Sequence, residues 1–230
     1  MTRDDELRDN LSAVRERIER ACRAAGRDPA DVTLIVVTKT WPADDVRRLV
    51  GLGVTDVGEN RDQEAGAKVR DCADLAVRWH FIGQVQRNKA ASIARYADVV
   101  QSVDRVPLVT ALDRGAARAG RELDVLVQVS LDPEPGRGGC PPDQVGQVSD
   151  AVTAAEHLTL RGLMAVAPLH EDPATAFARL APVREQVLDR HPEADWLSAG
   201  MSGDLEQAIS AGATHVRVGS AVLGVRENVG

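Results

Sequence analysis

Eight short apolar, β-branched runs alternate with stretches of helical pattern along almost the whole chain. The runs lie near residues 32–38, 54–57, 78–82, 98–101, 124–130, 160–164, 195–198 and 214–218. Strands that alternate with helices predict a parallel sheet, because parallel neighbours need a crossover connection. Eight such units within 230 residues favour an α/β fold of the closed (β/α)8, or TIM-barrel, type. A doubly wound open sheet is the alternative, although no GxGxxG motif follows the first strand.

A further helix is predicted ahead of the barrel. Apolar residues recur at i+3 and i+4 spacing over residues 4–25, and Gly26 can end the helix. No linker rich in Ser, Gly or Pro divides the chain, so residues 1–230 are predicted to form one domain. This domain comprises the N-terminal helix at 1–26 and a barrel at 32–224. The helix could mediate a contact with a partner, but covering the bottom of the barrel is the simpler interpretation.

The charge balance and the cysteine content narrow the partners and the compartment. A net charge of -7 does not favour nucleic acid or an anionic membrane as a partner. No apolar run approaches the roughly 20 residues that span a bilayer, and the first residues do not resemble a signal peptide. Cys22, Cys72 and Cys140 form no CxxC pair, so we expect the reducing cytoplasm. Cys140 lies in the Gly/Pro-rich segment 131–142 and is expected to be an exposed bystander thiol.

Lys39 stands at the end of the first predicted strand, in "LIVVTKTWP". Side-chain alternation gives Lys39 the same face as Ile35 and Val37, which we expect to point to the barrel axis. Desolvation there would lower the pKa of the amine and make it a nucleophile. The alternative is a lysine that extends into solvent or pairs with Glu59.

Glycine and serine follow the last two strands, in "SAGMSGDL" and "RVGSAVLG". Ser202 and Gly203, and then Gly219 and Ser220, are predicted at helix N-termini, where free N–H groups favour an anion. Barrels commonly hold a phosphate after strands 7 and 8. Together with Lys39, these turns suggest a phosphorylated carbonyl compound, and pyridoxal 5′-phosphate fits that description.

Two further polar residues are predicted to face the barrel axis. Arg217 shares a face with Gly219 and could donate to the pyridine nitrogen, keeping that nitrogen unprotonated. The alternative is an arginine paired with a carboxylate. His80 lies one layer below the rim, where a hydrogen-bonded core histidine is a better interpretation than a general base. The single tyrosine, Tyr96, precedes strand 4 and lies near the wrong end of the barrel for catalysis.

Seven segments, in order, make the chain resemble a known family. They are "LIVVTKTWP", "GENRDQEAGAK", "WHFIGQVQRNK", "QSVDR", "LRGLMAVAP", "LSAGMSGDLEQAI" and "GATHVRVGSAVLG". The sequence resembles the YggS/PROSC family of pyridoxal-phosphate homeostasis proteins. The resemblance implies a barrel like the N-terminal domain of alanine racemase. It also implies the cofactor-binding residues: Lys39 as the Schiff-base lysine, Asn60 near the ring, His80 and Met201 lining the site, Ser202, Gly219 and Ser220 on the phosphate, and Arg217 facing the pyridine nitrogen.

Several positions differ from the family pattern. Ala199 stands where methionine is usual, and Ser220 replaces threonine but keeps the hydroxyl. Ser130 and Arg137 stand where asparagine and lysine are usual. These differences leave the detail of the loop after strand 5 open, and they do not affect the cofactor prediction.

Three classes of function remain from the sequence. A racemase-like enzyme would need a second acid–base group, and a class I aldolase would also use a barrel lysine. The absence of an evident second base and the presence of Arg217 favour the third class, a carrier, and the resemblance implies the same. We therefore predict a non-enzymatic, monomeric protein that binds pyridoxal 5′-phosphate, buffers it and delivers it to apo forms of enzymes that depend on this cofactor. No metal site is predicted.

Overall fold

Eight parallel strands form a closed barrel in chain order, with β1 paired to both β2 and β8. The computed structural model describes residues 2–131 and 138–225. The strands are β1 Thr33–Val37, β2 Asp56–Glu59, β3 Arg78–Phe81, β4 Val99–Val103, β5 Leu123–Val129, β6 Leu158–Ala165, β7 Trp196–Ser198 and β8 His215–Val218. The (β/α)8 prediction is confirmed and the open sheet is excluded.

Helices connect the strands and surround the barrel. They are α1 Arg3–Ala24, α2 Ala43–Gly51, α3 Asp62–Asp71, α4 Ala90–Ile93, α5 Val106–Ala119, α6 Val145–Thr153, α7 Pro173–Ala178, α8 Leu180–Arg190, α9 Leu205–Ser210 and α10 Ser220–Leu223. The segment between β6 and β7 holds two helices, α7 and α8, separated by Arg179. Pro182 has no N–H to donate to the carbonyl of Ala178, so a continuous helix would lack a bond at this point.

The strand residues alternate between two apolar layers. Val36 packs outward in a cluster with Leu7 of α1 and Val222 of α10. The axis of the barrel contains a small apolar cluster of Val99, Leu126 and Met164. Since Val36 faces the helices, its neighbours in β1 face the axis, as the alternation of the sequence predicts.

Helix α1 lies along the side of the barrel and does not cover its bottom, so that prediction is wrong. The α1 side chain of Arg3 donates to the carbonyl of Leu223 (3.1 Å), and Asn10 donates to the carbonyl of Val222 (3.0 Å). The physical reason is the shortness of α10, which has four residues and leaves the outer face of β8 and β1 open. The apolar stripe of α1 fills that space, and its members Leu7 and Leu11 are buried.

The loop after β5 differs from the expectation for Cys140. The thiol is buried, not exposed, because residue 140 forms a β-bridge with Val129. Burial raises the pKa of the Cys140 thiol to about 12, which agrees with an unreactive thiol. Residues 132–137, which include Arg137, lie outside the described residues. Within residues 2–131 and 138–225, no helix combines the length and the apolar character needed to cross a membrane.

Candidate functional site

The lysine side chains of this protein have three different environments. The sequence contains three lysines, Lys39, Lys68 and Lys89. Lys68 is buried in an ion pair with Glu59, and the half-exposed Lys89 lies 3.8 Å from a carboxylate oxygen of Asp62. Lys39 is exposed and makes no hydrogen bond or ion pair with any residue that the structure describes. It is therefore the lysine whose amine is accessible to a ligand.

The environment of Lys39 corrects one expectation and removes one alternative. Lys39 lies two residues beyond β1, and its side chain reaches solvent, so the expected desolvation is absent. Pairing with Glu59 is also excluded, because that carboxylate accepts hydrogen bonds from Lys68 and from the hydroxyl of Thr38 (2.6 Å each).

A buried polar cluster, which we call the Lys68 cluster, holds the backbone that carries Lys39. The ammonium of Lys68 donates to the carbonyl of Thr38 (2.8 Å) and to Glu59, and it lies 3.3 Å from Glu64. The backbone N–H of Thr40 donates to the same oxygen of Glu64, and Thr40 has φ 68°, which is unusual for a residue other than glycine. The residues on both sides of Lys39 are thus fixed. No pattern in the sequence indicates this cluster, because a lysine on an amphipathic helix normally reaches solvent.

The turns after β7 and β8 meet at the same rim of the barrel as Lys39. A Cβ atom at Gly219 would lie 3.3 Å from the carbonyl oxygen of Val37, so the β8 turn packs against the end of β1. The hydroxyl oxygens of Ser202 and Ser220 are 3.4 Å apart. The structure therefore brings together three of the residues predicted to hold a phosphate.

The turn after β7 does not begin the helix where the sequence suggested. Ser202 and Gly203 lie in a turn, and α9 begins only at Leu205. The cause is Asp204, whose buried carboxylate accepts a hydrogen bond from the backbone N–H of Met201 (2.6 Å) and closes the turn. Met201 is 38% exposed at the rim.

Asn60 lies in the loop after β2, packed against the loop after β3. A Cβ atom at Gly83 would lie 2.2 Å from the carbonyl oxygen of Asn60, so only glycine fits there. Asn60 is half-buried, and its side-chain oxygen has no hydrogen-bond partner among the described residues. The residue also lines a cavity of about 630 Å³ together with Phe81 and Lys89.

Arg217 is buried inside the barrel without a carboxylate partner. It is 4% exposed, and its guanidinium donates to the hydroxyl of Ser198 (2.7 Å) and to the carbonyl of Ala165 (2.9 Å). Burial lowers the pKa of Arg217 to about 10, so the group remains a cation at neutral pH. The alternative of a salt bridge is excluded among the described residues.

His80 is a buried, hydrogen-bonded histidine, as the sequence favoured. Its Nε2 lies 2.8 Å from Asp56 and its Nδ1 lies 2.9 Å from the amide nitrogen of Gln101. Burial lowers the pKa of His80 despite the carboxylate of Asp56, which acts in the opposite direction. Tyr96 lies in the helical layer, where its hydroxyl donates to Asp62 (3.3 Å). No cluster of potential metal ligands occurs in the part of the chain that the structure describes.

Comparison with known proteins identifies the class first. The profile of the alanine racemase N-terminal domain matches residues 9–227, so the chain belongs to that family. The structure of alanine racemase from Corynebacterium glutamicum superposes with a TM-score of 0.68 at 18% identity, covering 99% of this chain and 62% of the racemase. At this identity the likeness shows the fold alone.

Closer relatives identify the particular family. The pyridoxal phosphate homeostasis protein of Mycobacterium bovis is 45% identical over 97% of this chain and 94% of its own length. That of Escherichia coli is 34% identical over 97% and 98%. PipY of Synechococcus elongatus, solved with pyridoxal phosphate bound, is 32% identical with a TM-score of 0.81 over 95% of this chain and 100% of PipY. The chain belongs to the family of pyridoxal phosphate homeostasis proteins, which confirms the resemblance of the sequence.

Proposed function

We propose that this protein binds pyridoxal 5′-phosphate through a Schiff base on Lys39 and serves the homeostasis of this cofactor, without sustained catalytic turnover. The observation that carries the proposal is Lys39 itself. It is the one lysine of three that is exposed and without a partner among the described residues, and it follows by two residues Val37, against which Gly219 packs. A primary amine is the group that condenses with the aldehyde of the cofactor.

The other site residues fit the remaining parts of the cofactor. The hydroxyls of Ser202 and Ser220 would donate to the phosphate, and Gly219 would leave room for it between β8 and β1. Arg217 would face the pyridine nitrogen, where a permanent cation disfavours protonation. By analogy with the family, Asn60, His80 and Met201 would line the site.

A carrier role is favoured over an enzyme by the same residues. A protein that moves protons on a bound amino acid needs groups with suitable pKa values within reach of the substrate. His80 is committed to two hydrogen bonds, and Tyr96 is bonded in the helical layer. Family membership, through relatives named for homeostasis, points the same way. We propose that apo forms of enzymes that use this cofactor receive it from a monomeric, cytoplasmic carrier.

The test compares the visible absorption of three proteins with added pyridoxal 5′-phosphate: wild type, Lys39→Ala and Lys89→Ala. We expect the yellow band of a lysine Schiff base in wild type and in Lys89→Ala, and its loss in Lys39→Ala. Borohydride reduction and peptide mass spectrometry should locate the adduct on Lys39. A band that survives Lys39→Ala would disprove the anchor. Sustained racemisation, decarboxylation or transamination that disappears with Lys39→Ala would disprove the carrier role.

A further inference from the structure

A file of five buried polar side chains crosses the interior of the barrel from β8 to β2. Arg217 donates to Ser198 (2.7 Å), and the hydroxyl of Ser198 donates to the side-chain oxygen of Gln101 (2.8 Å). The amide nitrogen of Gln101 lies 2.9 Å from Nδ1 of His80, and Nε2 of His80 lies 2.8 Å from Asp56. Each of the five residues is at most 8% exposed. We call this file the interior chain.

The chemistry of the two ends fixes the direction of every hydrogen bond between them. A carboxylate only accepts, so Nε2 of His80 must carry the proton that is shared with Asp56. In a neutral imidazole the other nitrogen then accepts, which requires the NH2 group of Gln101 to point at it. The amide oxygen of Gln101 is thereby turned to Ser198. All donors therefore point from β8 towards β2.

This direction determines what the hydroxyl of Ser198 offers to Arg217. The hydroxyl donates its single proton to Gln101, so a lone pair of its oxygen can accept a hydrogen bond from the guanidinium. If the amide of Gln101 were reversed, its NH2 group and the guanidinium of Arg217 would both donate to the oxygen of Ser198. The hydroxyl proton of Ser198 would then be buried without an acceptor. Such a donor carries the full cost of its desolvation. The orientation of Gln101 thus decides whether the hydroxyl of Ser198 has an acceptor, and so whether Ser198 is held in the rotamer that accepts from Arg217.

We propose that Gln101 is a positioning residue, which acts through Ser198 to hold the guanidinium of Arg217 in the orientation that faces the cofactor ring, with His80 and Asp56 fixing the direction of its amide. The role of Arg217 toward the ring rests on the proposed function. The hydrogen-bond direction does not, since it follows from side chains of the protein alone. Two measurements can therefore separate the proposals.

The first measurement is the tautomer of His80 in the protein without cofactor, from long-range ¹H–¹⁵N correlation spectra. We expect the neutral form with the proton on Nε2. In Gln101→Glu the introduced carboxylate cannot donate, so His80 should take up a second proton, and its pKa, followed by the same spectra, should rise. Wild-type His80 with its proton on Nδ1, or an unchanged titration in Gln101→Glu, would overturn the inference.

The second measurement is the dissociation constant of pyridoxal 5′-phosphate, from the absorption titration, for Gln101→Leu. Loss of the amide should weaken binding about tenfold or more, because Ser198 loses its acceptor and Arg217 its fixed partner. Gln147→Leu, at an exposed position of α6, is the matched control and should bind like wild type. Should Gln101→Leu not fold by circular dichroism, Ser198→Ala replaces it with the same expectation.

The outcomes distinguish the two proposals. A wild type that binds no cofactor would refute the proposed function, whereas the histidine spectra would still decide the direction of the interior chain. A wild type that binds, beside a folded Gln101→Leu or Ser198→Ala with the same dissociation constant, would overturn the positioning role.

Discussion

Replacing Lys68 by methionine removes the one cation of the Lys68 cluster and leaves its shape nearly unchanged. The side chains of Lys68 and Glu59 are 5% and 2% exposed, and their charged atoms are 2.6 Å apart. The ammonium also bonds the carbonyl of Thr38 (2.8 Å). In Lys68→Met, Glu59 would keep a hydrogen bond from Thr38 on one oxygen, while its other oxygen already lacks a partner within the described residues.

The expected loss of stability is large because a buried charge would remain alone. Breaking a buried ion pair from one side costs about 3–5 kcal/mol, and we expect Lys68→Met to lower the free energy of unfolding by about that much at neutral pH. Adding Glu59→Gln removes the uncompensated charge and should recover about half of the loss. Lys89→Met is the matched control: its partner Asp62 is 3.8 Å away and Lys89 is 41% exposed, so it should cost less than about 1 kcal/mol.

The stability loss of Lys68→Met should change with pH in a defined direction. Burial, opposed by Lys68, raises the pKa of Glu59 above its ordinary value of 4.5. A raised pKa means that the folded state binds more protons than the unfolded state. The contribution of Glu59 to the free energy of unfolding is therefore present below pH 4.5 and is lost as the pH rises through the pKa of the folded state. Without Lys68 the pKa of Glu59 should rise further. The stability deficit of Lys68→Met should therefore be smallest in acid and grow towards neutral pH.

Urea unfolding, followed by circular dichroism at a series of pH values, measures this deficit. A deficit below about 1 kcal/mol at neutral pH, or one that is the same at every pH, would refute the idea that the pair is a buried charge interaction. A deficit that Glu59→Gln does not reduce would show that packing by the lysine stem, and not charge, is responsible.

Two further predictions concern the loops and the acid limb of stability. Gly83→Ala would place a Cβ 2.2 Å from the carbonyl oxygen of Asn60 and should lower the free energy of unfolding in urea by about 3 kcal/mol. The control is Gly51→Ala, whose added carbon would meet no neighbouring atom within 4 Å; it should be neutral or slightly stabilising. Burial lowers the pKa of His215 from 6.5 to about 3, so the unfolded state gains a proton first and stability should fall by about 1.4 kcal/mol per pH unit below 6.5. His215→Gln should make that slope shallower, with His80 still contributing, and the exposed His170→Gln should not change it; equal slopes in both variants would contradict the assignment.

The alternation of side chains was enough to predict which residues face the barrel axis. Arg217 and His80 were assigned from the faces of single strands, and that reasoning needs only the period of two. It does not extend to Lys39, which lies two residues beyond β1 and is exposed. The helix predicted over residues 4–25 matches α1 for a similar reason, since its apolar stripe has the period of a helix. Local periodicity thus carries most of the fold.

Contacts between strands could not be predicted in the same way. Gln101 and Ser198 are neighbours in the interior chain although 97 residues separate them, and their distance depends on the stagger of the closed barrel. Lys68 belongs to an amphipathic helix where a lysine normally reaches solvent, and only the inward carboxylate of Glu59 explains its burial. The turn at Ser202 was misjudged because one side chain, Asp204, competes with the helix for a backbone N–H.

The position of α1 has a consequence for how the molecule is assembled. Asn10 of α1 bonds the carbonyl of Val222, which lies 212 residues further along the chain, and the apolar stripe of α1 packs against α9 and α10 as well as α2. On the ribosome, this helix is made before the barrel, yet its partners in α9 and α10 at residues 205–223 are made roughly 200 residues later, which is at least about 10 s at ordinary rates of synthesis. During that time its leucines have only the part of their native surface that β1 and α2 provide. We expect the nascent chain to be a substrate for chaperones until the eighth strand arrives, and the completion of the barrel to be a single late event.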